Sequence, residues 1–321
     1  MPSRRRLLAA TAATLALPAI AQPAWPSRPV RILISFPPGG SSDFVARVIA
    51  PQMAEMFGQS FVVDNRPGAA GMLAAEALKR EPADGHAFLL SNNAPFTIAP
   101  TMFPRITYNA LRDFTHVAYL GSTFGGCVAH PSLGVRTLEE LVAKAKAAPG
   151  TINFGSSGIG SIGHITGVNF CLRAGIDMVH VPYRGAGPLR IDLMTGVVAL
   201  NFEGIVGSLP AIAAGQLVGL AVAAEDRIPA APGLPTFREL GHDLIIKNWH
   251  GLSAPAGLPP AIAERLQRGL AEICARPATT AQFATIGNYH APMAGADFPA
   301  FVAAQIDLWR PMIIAADAVD R

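Results

Sequence analysis

Residues 30–43 read VRILISFPPGGSSD, and the fold can be worked outward from them. Val30–Phe36 is a short, β-branched apolar run, the pattern of a buried strand. Pro37 and Pro38 stop it, because proline donates no backbone hydrogen bond and stiffens the chain. Beyond Gly39-Gly40-Ser41-Ser42-Asp43, the residues Phe44, Val45, Val48, Ile49, Met53 and Met56 recur at helical spacing. The stretch is therefore a strand, a glycine-rich turn and the start of a helix. Phe61–Asp64 predicts a second strand, Ala69–Arg80 a second helix and Ala87–Ser91 a third strand. Such alternation predicts an α/β fold on a largely parallel sheet.

The series restarts in the middle of the chain. Thr137-Leu138-Glu139-Glu140 is a capping box opening a helix to Ala148. Ile152–Gly155 then predicts a strand, Gly155–Ser161 a second glycine-rich turn, Ser161–Arg173 a helix and Met178–Pro182 a strand. Leu189–Thr195, Val197–Phe202, Ser208–Ala214 and Leu217–Ala224 continue the rhythm. Thr236-Phe237-Arg238-Glu239 predicts a short helix, and helices are expected near 260–274, 279–286 and 298–316. Two α/β lobes are the natural parse.

Composition narrows the function. The 321 residues are 50% hydrophobic and 15% charged, which excludes a disordered chain. Arg4, Arg5 and Arg6 supply three of the 25 basic residues, and residues 1–21 hold no acid. The chain beyond them balances 22 basic against 22 acidic side chains, so nothing points to nucleic acid. Residues 1–21 have the parts of a signal peptide: a basic start, an apolar run from Leu7 to Ala21 and an Ala19-Ile20-Ala21 cleavage site. The run is too short for a membrane span, which needs about 20 residues. Ser3–Leu8 fits a twin-arginine signal as well as a general secretory one, so the mature protein is expected in the periplasm by either route. Cys127, Cys171 and Cys274 are odd in number and lack metal-ligand spacing; small buried hydrophobes are expected, with one disulfide left open. The eight histidines form no H-x-x-x-H pair, so no metal site is expected.

The two glycine turns carry the chemistry. Each places backbone amides where a helix leaves its first donors unpaired, beside serine hydroxyls, an arrangement that suits an oxyanion. Asp43 would repel that anion; it belongs to the first helical turn, or accepts from a ligand hydroxyl or ammonium. Gly158-x-Gly160-x-x-Gly163 also satisfies the dinucleotide pattern G-x-G-x-x-G, but Tyr183-Arg184 stand where an acidic residue belongs. An exported NADP-dependent oxidoreductase, with Arg184 on the 2′-phosphate, is therefore the alternative function.

WPSRPVRILISFPPGGSSD, VVDNRPGAAG, DGHAFLLSN, INFGSSGIGS, VHVPYRGAGP, GLPTFRELG and WHGLSAPAGLPP follow one another along the chain. In this order they resemble the Bug (TctC-type) solute receptors, the extracytoplasmic binding proteins of tripartite tricarboxylate transporters. The resemblance runs from about Trp25 to the C-terminus. It implies a two-lobed, periplasmic-binding-protein-like (type II) fold with a ligand cleft between the lobes. Lobe 1 would comprise residues 25–120 plus 249–321, and lobe 2 residues 121–248.

The resemblance further implies a monomer that binds a small organic carboxylate, with no cofactor and no catalysis. The loaded form would dock on the membrane subunits of the transporter, or on a membrane sensor kinase. The implied ligand-binding residues are Gly39, Gly40, Ser41, Ser42 and Asp43 on one lobe. On the other they are Ser156, Ser157, Gly158, Gly160 and Ser161, with Tyr183, Arg184 and Gly185 close by. Asn92 and Asn93 would line the far side. Two stretches depart from the family pattern: Ser161-Ile162-Gly163-His164 where Thr-Ser-Gln-His is usual, and Phe202-Glu203-Gly204 where Phe-Asp-Asn is usual. Glu203 is thereby expected to meet a ligand hydroxyl or ammonium, or to pair with Arg184. Arg184 is a candidate clamp for a second carboxylate. The departures favour an apolar or aromatic acid over a citrate-like triacid.

Overall fold

A computed structural model describes residues 25–103, 105–291 and 293–319. The expected signal peptide, residues 1–21, lies outside them. Among the described residues, no helix is long and apolar enough to cross a membrane.

Lobe 1 is built from β1 (Val30–Ile34), α1 (Ser41–Phe57), β2 (Phe61–Asn65), α2 (Met72–Lys79) and β3 (Ala87–Asn92). A π turn (Ala94–Ile98) and α3 (Ala99–Met102) follow, and then β4 (Phe114–Phe124) leads out. Lobe 2 holds β5 (Gly126–Ala129), α4 (Leu138–Ala147), β6 (Asn153–Ser156), α5 (Ile162–Ala174) and β7 (Val179–Pro182). It continues through α6 (Ala186–Thr195), β8 (Leu200–Asn201), α7 (Leu209–Ala213) and β9 (Val218–Val222). The chain returns through β10 (Lys247–Pro255) and ends in α8 (Pro260–Ala275), α9 (Pro277–Ala284) and α10 (Phe298–Val319).

Each lobe carries a five-stranded sheet, β2-β1-β3-β10-β4 in lobe 1 and β7-β6-β8-β5-β9 in lobe 2. The expectation of a largely parallel sheet holds with one exception in each lobe. β2-β1-β3 and β7-β6-β8 are parallel, whereas β10 runs against both β3 and β4, and β5 against both β8 and β9, so each sheet has one reversed strand. The reversed strands lie at the crossovers: β4 leads into β5 through Gly125, and β10 brings the chain back. Alternation along β1 explains why its sheet is buried on both faces. Ile32 and Ile34 pack under α1 and α8, while Leu33 faces Trp249, Phe96 and Phe298 on the other side.

Several local expectations also shift. Ala69–Gly71 is a separate turn before α2, with Ala69 and Ala70 at φ of 48° and 50°. Thr236–Leu240 is a turn rather than a helix. The capping box forms there, with the Thr236 amide donating to Glu239 Oε2 at 2.7 Å and the Glu239 amide to Thr236 Oγ1 at 3.1 Å. Pro235 and Gly241 leave that turn no room to propagate. α10 spans both lobes: Phe298 and Val302 sit in the lobe 1 core, while Trp309, Met312 and Ile313 sit in the lobe 2 core. Asn169 Nδ2 of α5 donates to the Met312 carbonyl at 3.0 Å, fixing that far end. The three cysteines are free, buried thiols; burial pushes those of Cys171 and Cys274 up to about 12.

Candidate functional site

In both lobes the glycine turn follows the central strand of a parallel three-strand unit. Its neighbours lie on opposite sides, β2 and β3 about β1, β7 and β8 about β6. That is the switch point at which α/β sheets open a crevice beyond the strand ends. The two crevices face each other, and Gly40, Ser41, Ser42, Ser157, Ser161 and Glu203 line one cavity of about 70 Å³ between them. A wider cavity of about 270 Å³ adjoins it, bounded by Gly39, Gly40, Ser41, Asn201, Glu203 and Asn248.

The donors of this cleft are mostly backbone. α1 starts at Ser41 with Gly40 as its cap and no side-chain cap bond. The amides of Ser41, Ser42 and Asp43 thus have no acceptor within the helix. α5 starts behind Ser161, whose Oγ accepts from the His164 amide at 3.3 Å, leaving the Ile162 and Gly163 amides. Because Ser161 Oγ accepts that bond, its proton is available to a ligand. Ser42 is arranged alike, since Asn92 Nδ2 donates to its Oγ at 3.1 Å and to Ser35 Oγ at 3.0 Å.

Ser41 is different. Its Oγ accepts from Asn248 Nδ2 at 3.2 Å and lies 3.2 Å from His250 Nε2. His250 Nδ1 faces Asn288 Oδ1, and Asn288 Nδ2 donates to the Leu120 carbonyl. That network puts the imidazole proton on Nδ1, so Nε2 accepts from Ser41. Burial holds His250 neutral, with its pKa lowered to about 4. Ser41 therefore offers the cavity its amide, its hydroxyl being engaged by Asn248 and His250. Asn93 adds a further donor: it is 1% exposed, its Oδ1 accepts from the Trp249 amide at 2.9 Å, and its Nδ2 has no partner among the described residues.

Other residues expected at the site serve it indirectly. Asp43 is buried outside the cleft lining and accepts from the Gly39 amide at 3.1 Å, Arg47 Nε at 2.9 Å and Asn65 Nδ2 at 3.1 Å. Burial alone would raise its pKa, but these three bonds hold it below the usual carboxylate range. It clamps the first turn. Ser156 is fully buried and ties the second turn together, its Oγ 2.7 Å from His180 Nε2 and 3.1 Å from the Gly158 carbonyl. Gly158, Tyr183 and Arg184 line a separate recess with Phe36, Pro37 and Ala69. Tyr183 donates to Asp192 Oδ2 at 2.7 Å. Arg184 and Glu203 thus border different recesses and form no ion pair.

Glu203 Oε1 accepts from the Ser157 amide at 2.6 Å. Its pKa is raised by burial, offset in part by the bonds from Ser157. The space for it comes from Gly163, where a Cβ would lie 2.8 Å from the Glu203 carboxyl carbon. Gly163 and Glu203, one residue from each departing stretch, are thus one structural change: the Glu203 carboxylate fills the volume a side chain at 163 would need. Gly160, at φ 75°, lets Ala70 of lobe 1 come so close that a Cβ would stand 2.8 Å from it. Two glycines of the dinucleotide pattern, Gly160 and Gly163, are therefore taken up by lobe contact and by Glu203, and a Cβ on the third, Gly158, would stand 3.2 Å from the Tyr183 carbonyl. Among the described residues, no cluster of ligands suits a metal ion.

Asn248 and Asn201 escaped sequence reasoning. Asn248 sits at the start of β10, where a polar residue in a strand beside a proline-rich stretch gives little warning. Asn201 ends a two-residue strand.

Comparison with known proteins places this geometry. Residues 45–317 match the model of the tripartite tricarboxylate transporter family receptor. The chain is 34% identical to protein BugT of Bordetella pertussis over 96% of each sequence. Its structure is similar to that of the R. palustris protein Rpa4515, solved with adipate, at a TM-score of 0.87. Identity to that protein is 31%, over 91% of this chain and 98% of the other. MatC (Rpa3494) from Rhodopseudomonas palustris, solved with bound malate, gives a TM-score of 0.85 and 27% identity over 90% and 100% of the two chains.

Proposed function

We propose, from the premise that the chain belongs to the tripartite tricarboxylate transporter family of receptors, that its α1 and α5 N-termini jointly hold the carboxylate of a small organic acid. The protein is a solute-binding receptor for such a transporter. The observation that carries the site assignment is the pairing of unsatisfied helix amides across the cavity, reinforced by the partnerless Nδ2 of Asn93. The similar structures hold adipate and malate, both carboxylates, which supports the same class of ligand here. Gly40, Ser41, Ser42, Asn93, Ser161 and Ile162 contact the carboxylate; Asp43, Asn92 and Ser156 hold the turns. The receptor is exported by residues 1–21, works as a monomer in the periplasm, and delivers its ligand to the membrane subunits without transforming it.

The energetics suffice. A hydrogen bond to a charged group contributes about 1.5–3 kcal/mol. Four or five of them outweigh an association cost at the low end of about 4–15 kcal/mol. Micromolar affinity, about −8 kcal/mol, is then attainable. Ser161→Asp tests the assignment, since it puts a like charge on the anion's seat. Calorimetry with a panel of mono- and dicarboxylates is expected to lose binding at least 100-fold while the thermal melt is retained. Unchanged affinity in the variant would remove the second turn from the site.

A further inference from the structure

The cleft has two chemically opposite ends. Donors gather around α1, α5 and Asn93. Acceptors gather on lobe 2. There, among the described residues, the Glu203 carboxylate accepts a hydrogen bond from Ser157, and Asn201, only 6% exposed, has a buried Oδ1 with no partner. Both line the wider cavity. The cation there, Arg190, is exposed and forms no ion pair with Glu203. Glu203 and Asn201 Oδ1 offer the ligand acceptors beside the anion seat, while the Asn248 Nδ2 of the same cavity is already engaged by Ser41 Oγ and Thr123 Oγ1. A second ligand carboxylate would meet Glu203 as a like charge in a partly desolvated space. An ammonium or amide N–H would instead satisfy the unpartnered Asn201 Oδ1 and give Glu203 a second donor beside Ser157.

We infer that Glu203 and Asn201 form a donor-recognising subsite, so that this receptor selects an acid bearing an ammonium or amide group and discriminates against dicarboxylates. The inference rests on carboxylate capture by α1 and α5, as proposed above. It assigns the polarity of the ligand's second functional group, and Gly163 is the residue that gives the subsite its room.

Calorimetry on the mature protein at pH 7.5, with matched four-, five- and six-carbon probes, separates the two ideas. Each set holds the monocarboxylate, its 2-amino and ω-amino acids, and the dicarboxylate. An amino acid is expected to bind about tenfold or more tighter than the monocarboxylate of its length, and the dicarboxylate weakest of the set. In Glu203→Gln the preference for the amino acid should shrink about tenfold while monocarboxylate affinity holds. Asn201→Ala should weaken the amino acid alone. The subsite is overturned if a dicarboxylate binds tighter than both amino acids of its length. It is equally overturned if Glu203→Gln, folded by its thermal melt, leaves the amino acid to monocarboxylate ratio unchanged. Monocarboxylate binding with either of those results would refute the subsite and leave carboxylate capture standing. If no probe binds to the unaltered protein, carboxylate capture fails and the subsite falls with it.

Discussion

Replacing Gly163 by alanine tests the packing on which the lobe 2 side of the cleft depends. In a helix with space around it, alanine in place of glycine stabilises by up to about 1 kcal/mol. Gly163 is the second residue of α5, and its new methyl would lie 2.8 Å from Cδ and 3.2 Å from Cγ of Glu203. Contacts under 3.0 Å force movement, and Glu203 can move only by giving up its 2.6 Å bond from the Ser157 amide. Losing a hydrogen bond to a charged group costs about 1.5–3 kcal/mol. Gly163→Ala should therefore destabilise by about 0.5–2 kcal/mol net. With Glu203→Ala in place, those contacts are gone and the helix gain returns. The double-mutant cycle should show a coupling of about 1.5–3 kcal/mol, within the range of about 0.5–3 found for residues in contact. Urea midpoints of the four proteins measure it. Equal stabilisation by Gly163→Ala in both backgrounds would refute the steric link between these residues.

Two further outcomes follow from the fold. Trp309→Ala should cost about 3–5 kcal/mol, because the indole is 1% exposed in the lobe 2 core and anchors the far end of α10; a change under 1 kcal/mol in chemical denaturation would contradict that burial. His116 and His250, each with a pKa lowered to about 4 from an ordinary 6.5, are buried neutral, so the unfolded chain binds more protons than the folded one below pH 6.5. Their stabilising contribution is complete above pH 6.5 and falls as pH drops towards 4, by about 3 kcal/mol each. Imidazole resonances that titrate near 6.5 in NMR would disprove it.

The parallel cores of both lobes were legible because their signals are local. Proline and glycine punctuate β1 and β6, and the 3.6-residue spacing after them has no rival reading. The crossovers were not legible. β4 and β10 mix Gly, His, Asn and Ser with apolar residues, and their pairing joins residues more than a hundred positions apart, as His116 Nδ1 with Ser253 Oγ at 2.8 Å. The Thr236 capping box shows the opposite error: the local bonds form, but no helix follows. At the site, hydroxyls at strand-to-helix turns announced Ser42 and Ser161. The roles of Asp43 and Ser156 were hidden, because Asn65 and His180, which complete their networks, lie 22 and 24 residues away. The bond between Ser157 and Glu203 was hidden for the same reason.

That Asp43 turns away from the cleft bears on how a receptor can grip an anion and still let it go. The seat proposed for the carboxylate holds amides, hydroxyls and an asparagine, and none of these titrates near neutral pH. Grip then depends on geometry, on whether α1 and α5 face each other. The lobes meet through small groups: Gly160 against Ala70, and Gly185, where a Cβ would stand 3.1 Å from Pro37 Cγ. Ile98 and Met102 of lobe 1 also pack against the lobe 2 core, and a ligand bridging both helix ends adds to those contacts. Apparent affinity then scales with the fraction of molecules that can close. Separating the lobes by a turn of the crossovers at Gly125 and Lys247 takes away half of the donors at once. Ser41 ties the two together, since its hydroxyl is held by Asn248 and His250 of β10 while its amide belongs to α1. A movement of β10 therefore reaches the anion seat through one side chain.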